Sequence, residues 1–327
     1  MGKGSGQHAE KTGQHAFCNT QWRFAHHPTT MDITAIAAAI LSALGMGTVG
    51  VFAKVTGLGA EVITFFRLAL GAGFMLLFLL VTGQLRLVRR WPSWPVLVNG
   101  AMLAGFIIFY VHAMEHTTMA NSIMLVYLAP PTASIYAHFF LGERLTRASA
   151  GLIGFALFGF ALMLEFRLDF PAGSGHLRGI GLGLVAMVCY AAFILINRVI
   201  DASVHVHTRT FYQLLVGGLV MLPLCVAGRP ELPPWTWPWL AGTGLVPGFL
   251  AILCAVYALS RLPAAFFGTL AYFEPIAVVV FGWTLFGETL SALQLAGCLV
   301  IIAAGVSMTW LAAGRSGERV DSARPGR

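Results

Sequence analysis

Ten apolar blocks of 17 to 25 residues follow one another along this chain, and no other feature restricts its fold as much. They occupy about residues 33 to 53, 62 to 82, 95 to 114, 117 to 141, 148 to 164, 179 to 197, 210 to 227, 238 to 260, 262 to 286 and 289 to 313. A helix rising 1.5 Å per residue needs about 20 residues to cross a hydrocarbon layer of about 30 Å. A membrane barrel would show alternating segments of about ten residues instead. The expected fold is therefore an all-α membrane protein with ten transmembrane helices, the block at 148 to 164 being the shortest. Only 10% of the residues are charged and 57% are apolar, against about 25% charged in soluble domains.

The second constraint is a duplication. Sliding residues 120 to 163 forward by 145 positions places Ala120 on Ala265, Tyr127 on Tyr272, Pro130 on Pro275, Gly142-Glu143 on Gly287-Glu288, Leu145 on Leu290 and Met163 on Met308 without a gap. Fainter matches set Phe66-Arg67 against Tyr212-Gln213, and Lys54 against Arg198. The repeat is thus five helices long, spanning 31 to 165 and 177 to 313. An odd number of spans turns the second copy upside down, so two inverted five-helix repeats are expected, an arrangement of secondary transporters with a site near the bilayer midplane.

Orientation follows from Lys and Arg. Fifteen fall in one set of alternate connections and tails, four in the other, and Arg67 lies inside a block. The rule that positive loops stay inside then places both termini in the cytoplasm. The same distribution explains the net charge of +7 by membrane orientation, so a lipid bilayer is the expected partner and nucleic acid is not. Residues 1 to 30 have no apolar run and read as a disordered tail, as do 314 to 327; Met31, directly before Asp32, reads as a candidate start. Cys189, Cys225, Cys254 and Cys298 fall in apolar blocks and Cys18 in the polar head, without metal spacing. No disulfide, metal or cofactor is expected.

Glu274 stands midway through an otherwise uncharged block, where a carboxylate is costly and faces a partner or a watery cavity. It reads as a proton carrier or an anchor for a substrate ammonium, or alternatively as a protonated acid bonded to a neighbouring helix. Pro130, Pro131 and Pro275 leave the carbonyls of Val126, Tyr127 and Ala271 without their helical donors. Pro130 and Pro275 are candidate hinges, the alternative being packing kinks; Pro223 and Pro247 read as kinks. Polar and aromatic residues within the blocks include Thr48, Tyr110, His112, Asn121, Ser122, Tyr127, Tyr190, Asn197, Tyr257, Thr269 and Tyr272. As a group they suit a small amphipathic solute better than a bare ion, although each alone is as well explained by an interhelical hydrogen bond. Arg67, five residues into its block, reads as a side chain snorkelling to the interface, the alternative being ligand contact. Lys54 and Arg198 read as interfacial anchors, the alternative being guards of the cavity mouths, and Glu143 and Glu288 as parts of helix-terminating turns, the alternative being catalysis. His112, Glu115, His116 and His138 form the sole acid-base cluster and match no zinc pattern.

Ala-Pro-Pro-Thr at 129 to 132, Phe-Leu-Gly-Glu-Arg-Leu-Thr at 140 to 146, Phe-Glu-Pro-Ile at 273 to 276 and Leu-Phe-Gly-Glu-Thr-Leu-Ser at 285 to 291 together resemble the two EamA repeats of the drug/metabolite transporter superfamily. The resemblance covers about 33 to 313 and implies a multi-pass carrier of the bacterial inner membrane, commonly an exporter of amino acids, related metabolites or toxic compounds, driven by protons or by the substrate's own gradient. It implies a central cavity among the first, third, fourth, sixth, eighth and ninth helices, onto which Tyr110, Tyr127, Tyr190, Tyr257, Tyr272 and Glu274 map, with Asn121 nearby. The expected function is export of a small metabolite such as an amino acid by alternating access. A membrane-embedded enzyme is the competing class, without a catalytic motif; a passive channel is the third, without a ring of like charges or a filter-like loop.

Overall fold

The computed structural model describes residues 32–89, 92–167, 174–228 and 230–322. The segment expected as an N-terminal tail, Met31 and residues 323–327 lie outside them. Nine of the described helices are long and apolar enough to cross a membrane: α1 (Ile33–Thr56), α2 (Ala60–Val81), α3 (Trp94–Met114), α4 (Asn121–Phe140), α6 (Gly175–Val199), α7 (Val206–Ala227), α8 (Pro234–Arg261), α9 (Ala264–Phe286) and α10 (Ala292–Leu311). The shorter apolar helix α5 (Arg147–Met163) fills the fifth place and packs along α10. Helical backbone continues past α10 to Ser322, into the segment expected to be a disordered tail.

Local chemistry sets the ends of these helices. Asp32 caps α1 by accepting from the Ala35 amide, and Thr146 caps α5 by accepting from Ser149. Gly142 and Gly287, one after each repeated helix, both take φ 65°, a conformation that disfavours any side chain and stops the helix.

Four of the spans are interrupted. α1 breaks at Thr48, whose hydroxyl bonds the Gly45 carbonyl at 2.6 Å. α4 breaks at Tyr127 and Leu128, directly before Pro130, and α9 breaks at Tyr272, three residues before Pro275. In α8 the backbone widens to a π-helical turn over Gly244–Leu250 around Pro247, which has no N–H to give.

The halves interlock in a reciprocal pattern. α1 packs against α8 and α9, and α6 against α3 and α4; α2 contacts α7 and α8, and α7 contacts α2 and α3. The pairs α4 with α9 and α5 with α10 join equivalent helices. Every one of these contacts maps onto another, or onto itself, when the halves are exchanged, which is the signature of a pseudo-twofold between two inverted five-helix repeats. Large apolar side chains such as Val81, Phe139, Phe140 and Trp310 face outward, where lipid covers them.

Candidate functional site

The interruptions of α4 and α9 lie side by side. Tyr272 is fully buried, and its hydroxyl donates to the Tyr127 carbonyl oxygen at 2.7 Å. That is the carbonyl which Pro131, lacking an N–H, cannot serve. The two rings lie tilted against each other at 5.6 Å between centroids, and Phe160 packs on Tyr127 at 4.4 Å. Glu274, two residues beyond Tyr272, lies within interaction range of the Tyr127 side chain. Tyr110 and Tyr190 lie within electrostatic reach of the same carboxyl group, and Tyr190 stacks on Phe106 at 4.9 Å. Glu274, Tyr110 and Tyr190 are each partly exposed, although Glu274 and Tyr190 stand well inside their spans.

The structure therefore brings Tyr110, Tyr127, Tyr190, Tyr272 and Glu274 together, with Pro130 and Pro275 directly beside them. Asn121 and Tyr257 lie elsewhere. Asn121 is buried near the start of α4, where its side-chain nitrogen donates to Thr117 Oγ1 at 3.1 Å. Tyr257, near the end of α8, shares a hydrogen bond of 2.8 Å with Thr34 and lies under the Arg261 guanidinium at 4.6 Å.

Arg67 joins this cluster, although its sequence position favours the interface over ligand contact. Instead of snorkelling it is 5% exposed, its Nη1 directed at Met46 Sδ at 3.9 Å, within electrostatic reach of Glu274. Glycines hold it there. A Cβ at Gly248 would come within 2.2 Å of the Arg67 carbonyl oxygen, and one at Gly244 within 2.4 Å of Leu70 Cβ, so α2 lies hard against the π-helical turn of α8. The available signal was a charge inside an apolar block.

The ends of the bundle are tied by ion pairs that the pseudo-twofold exchanges. Arg198 Nε meets Glu143 Oε1 at 2.7 Å, Arg198 Nη1 donates to the Leu259 carbonyl at 3.0 Å, and Glu143 Oε2 accepts from the Ala264 amide at 2.8 Å. This carboxylate thus joins α4 to α6 and caps the N-terminus of α9, where the helix dipole favours it. At the opposite end Lys54 pairs with Glu288. Their burial differs: 17% and 11% exposed for Arg198 and Glu143, 49% and 56% for Lys54 and Glu288. A further pair, Arg261 with Asp32 at 2.7 Å, ties α8 to α1 beside Arg198. The sequence reading of Lys54 and Arg198 as anchors did not see that each reaches across to the other half.

Among the described residues no group of three or more His, Cys, Asp or Glu side chains is placed to hold a metal. His112 is paired with Glu115 at 3.3 Å, and His138 hydrogen-bonds the Glu143 backbone at 3.0 Å.

Inverted helical repeats of membrane-spanning length define a multi-pass membrane protein, an architecture that transporters use. Residues 33–165 and 177–310 match the EamA-like transporter family, and the chain belongs to that family of membrane transporters. An archaeal protein of Archaeoglobus fulgidus described as an uncharacterized transporter is 30% identical over 84% of this chain and 95% of its own length. The pseudopaline exporter CntI of Pseudomonas aeruginosa is 28% identical over 77% of this chain and 87% of its own. The threonine/homoserine exporter RhtA of Escherichia coli K12 is 26% identical over 77% and 82%. One solved crystal structure superimposes with a TM-score of 0.75 over 85% of this chain and 98% of its own, at 20% identity, which speaks to the fold alone.

Proposed function

We infer that the protein is an alternating-access carrier of a bacterial inner membrane, with both termini cytoplasmic, that exports a small amphipathic metabolite such as an amino acid. The observation that carries this reading is the unequal burial of two ion pairs exchanged by the pseudo-twofold. Arg198–Glu143 is enclosed and Lys54–Glu288 is open to solvent, as expected of a bundle closed at one end and loosened at the other around the Glu274 site. The reverse state would enclose Lys54–Glu288 and free Arg198–Glu143. Interrupted α4 and α9 supply the bending points, and the positive-inside asymmetry puts the Arg198–Glu143 end in the cytoplasm. Two relatives carry exporter in their names, one for pseudopaline and one for threonine and homoserine, which supports a metabolite of this size. Glu274 is the binding and coupling carboxylate, with protons as the coupling ion.

Counterflow in proteoliposomes tests this. Vesicles preloaded with a mixture of the common L-α-amino acids should take up labelled amino acids faster than empty vesicles, and Glu274→Gln should abolish both the acceleration and its dependence on a pH gradient. Uptake indifferent to preloading would refute a carrier in favour of a channel. Unchanged flux at every pH in Glu274→Gln would remove this residue from the mechanism.

A further inference from the structure

Arg67 carries a feature that general transport does not explain. Its Nε and Nη2 are buried and have no hydrogen-bond partner among the described residues, and no carboxylate of the described residues lies within 4.0 Å to form an ion pair with it. Burying charged donors without acceptors is among the costlier arrangements in a membrane protein. The second half does not repeat it. There the matching residue, Gln213, donates from Nε2 to Asn197 Oδ1 at 3.0 Å. The residue that corresponds to Asn197 in the first half, one before Lys54 as Asn197 is one before Arg198, is Ala53, which offers no side-chain acceptor. The half that carries the cation thus lacks the partner that its counterpart retains.

The identity of the two free donors specifies what they fit. Nε–H and one Nη2–H lie along the same edge of the planar guanidinium and point in parallel, a fork that matches the two oxygens of a carboxylate. Nη1, on the other edge, is turned to Met46. Glu274 lies within electrostatic reach of Arg67, and Tyr127, Tyr110 and Tyr190 lie within reach of the same carboxyl group. A carboxylate acceptor beside aromatic faces suits an ammonium group. Resting on the carrier reading of this same site, the geometry points to a zwitterion receptor: Arg67 takes the α-carboxylate of a free amino acid or amino-acid-like metabolite on Nε and Nη2, and Glu274 takes its α-ammonium.

The test uses the full chain in proteoliposomes and, in detergent, thermal-shift titration. The probes are the common L-α-amino acids, their carboxamides, which lack the carboxylate, and their N-acetyl derivatives, which lack the ammonium. At least one free amino acid is expected to stabilise and exchange, while its carboxamide and N-acetyl derivative bind about tenfold more weakly or worse, as loss of a charge-assisted bond dictates. Arg67→Lys keeps the charge without the fork and should weaken the free amino acid by a similar factor while leaving the carboxamide unaffected; Glu274→Gln should weaken the free acid while leaving the N-acetyl derivative unaffected. Arg67→Lys serves beside Arg67→Gln because the neutral variant can fail to fold, which size-exclusion chromatography reveals. If carboxamides or N-acetyl derivatives exchange as well as the free acids, or Arg67→Lys transports normally, the receptor assignment fails while the carrier reading stands. If no probe exchanges through the wild-type protein, the carrier reading for this substrate class fails and takes the receptor with it.

Discussion

The hydroxyl of Tyr272 donates to the backbone carbonyl of Tyr127 at 2.7 Å, and these two tyrosines occupy the same position in the two halves of the chain. One side chain thereby repairs the backbone defect that proline creates in the opposite half, and it does so beside Glu274. The symmetry is broken at this contact, since the counterpart of Pro131 in the second half is Ile276, whose N–H can serve the Tyr272 carbonyl.

Removing that hydroxyl should be measurable. Tyr272→Phe is expected to lower the free energy of unfolding in SDS by about 1 kcal/mol, in the range of interhelical hydrogen bonds in membranes, and to leave helix content unchanged by circular dichroism. An unaltered unfolding midpoint would mean that water serves the Tyr127 carbonyl equally well.

The two exchanged ion pairs should respond unequally. Glu143→Gln removes the partner of an enclosed arginine and a cap on α9, and a loss approaching about 3 kcal/mol is expected. Glu288→Gln breaks an exposed pair and should cost less than about 1 kcal/mol. Reversible unfolding of both variants under one set of conditions compares them directly.

Glycine at 248 is fixed by geometry. Gly248→Ala would set its Cβ 2.2 Å from the Arg67 carbonyl oxygen, so the variant should show a reduced monodisperse fraction in fluorescence-detected size-exclusion chromatography and impaired transport. Gly50→Ala, whose Cβ would meet nothing within 4 Å, is the matched control and should behave as wild type.

Acid should loosen the α1–α8 contact. Hydrogen bonding from Thr34, aided by Arg261 and the Ala35 amide, holds the Asp32 carboxyl below its ordinary 3.8. Because the folded value is the lower one, the stabilisation is fully present above 3.8 and is lost as pH falls through the folded value. The difference in melting temperature between wild type and Asp32→Asn should therefore be constant near neutrality and shrink below about pH 4.

The sequence alone determined the ten helices, their division into two five-helix units and the membrane they occupy, because hydrocarbon thickness and the backbone's need for internal hydrogen bonds leave no other solution for apolar blocks of this length. It also singled out Glu274, since a carboxylate in such a block is costly and calls for a partner, a watery cavity or a proton, and the resemblance to the EamA repeats grouped Tyr110, Tyr127, Tyr190, Tyr257 and Tyr272 with it. Tertiary structure alone decided which polar groups meet. Periodicity along one helix is silent about a partner more than a hundred residues away, so Asn121 and Tyr257 bond at the ends of their spans while Tyr127 and Glu274 come within range of each other. Arg67 looked able to reach the interface until the glycine contacts between α2 and α8 turned it inward, and Lys54 and Arg198 looked like independent anchors until the pseudo-twofold gave each a carboxylate from the other half.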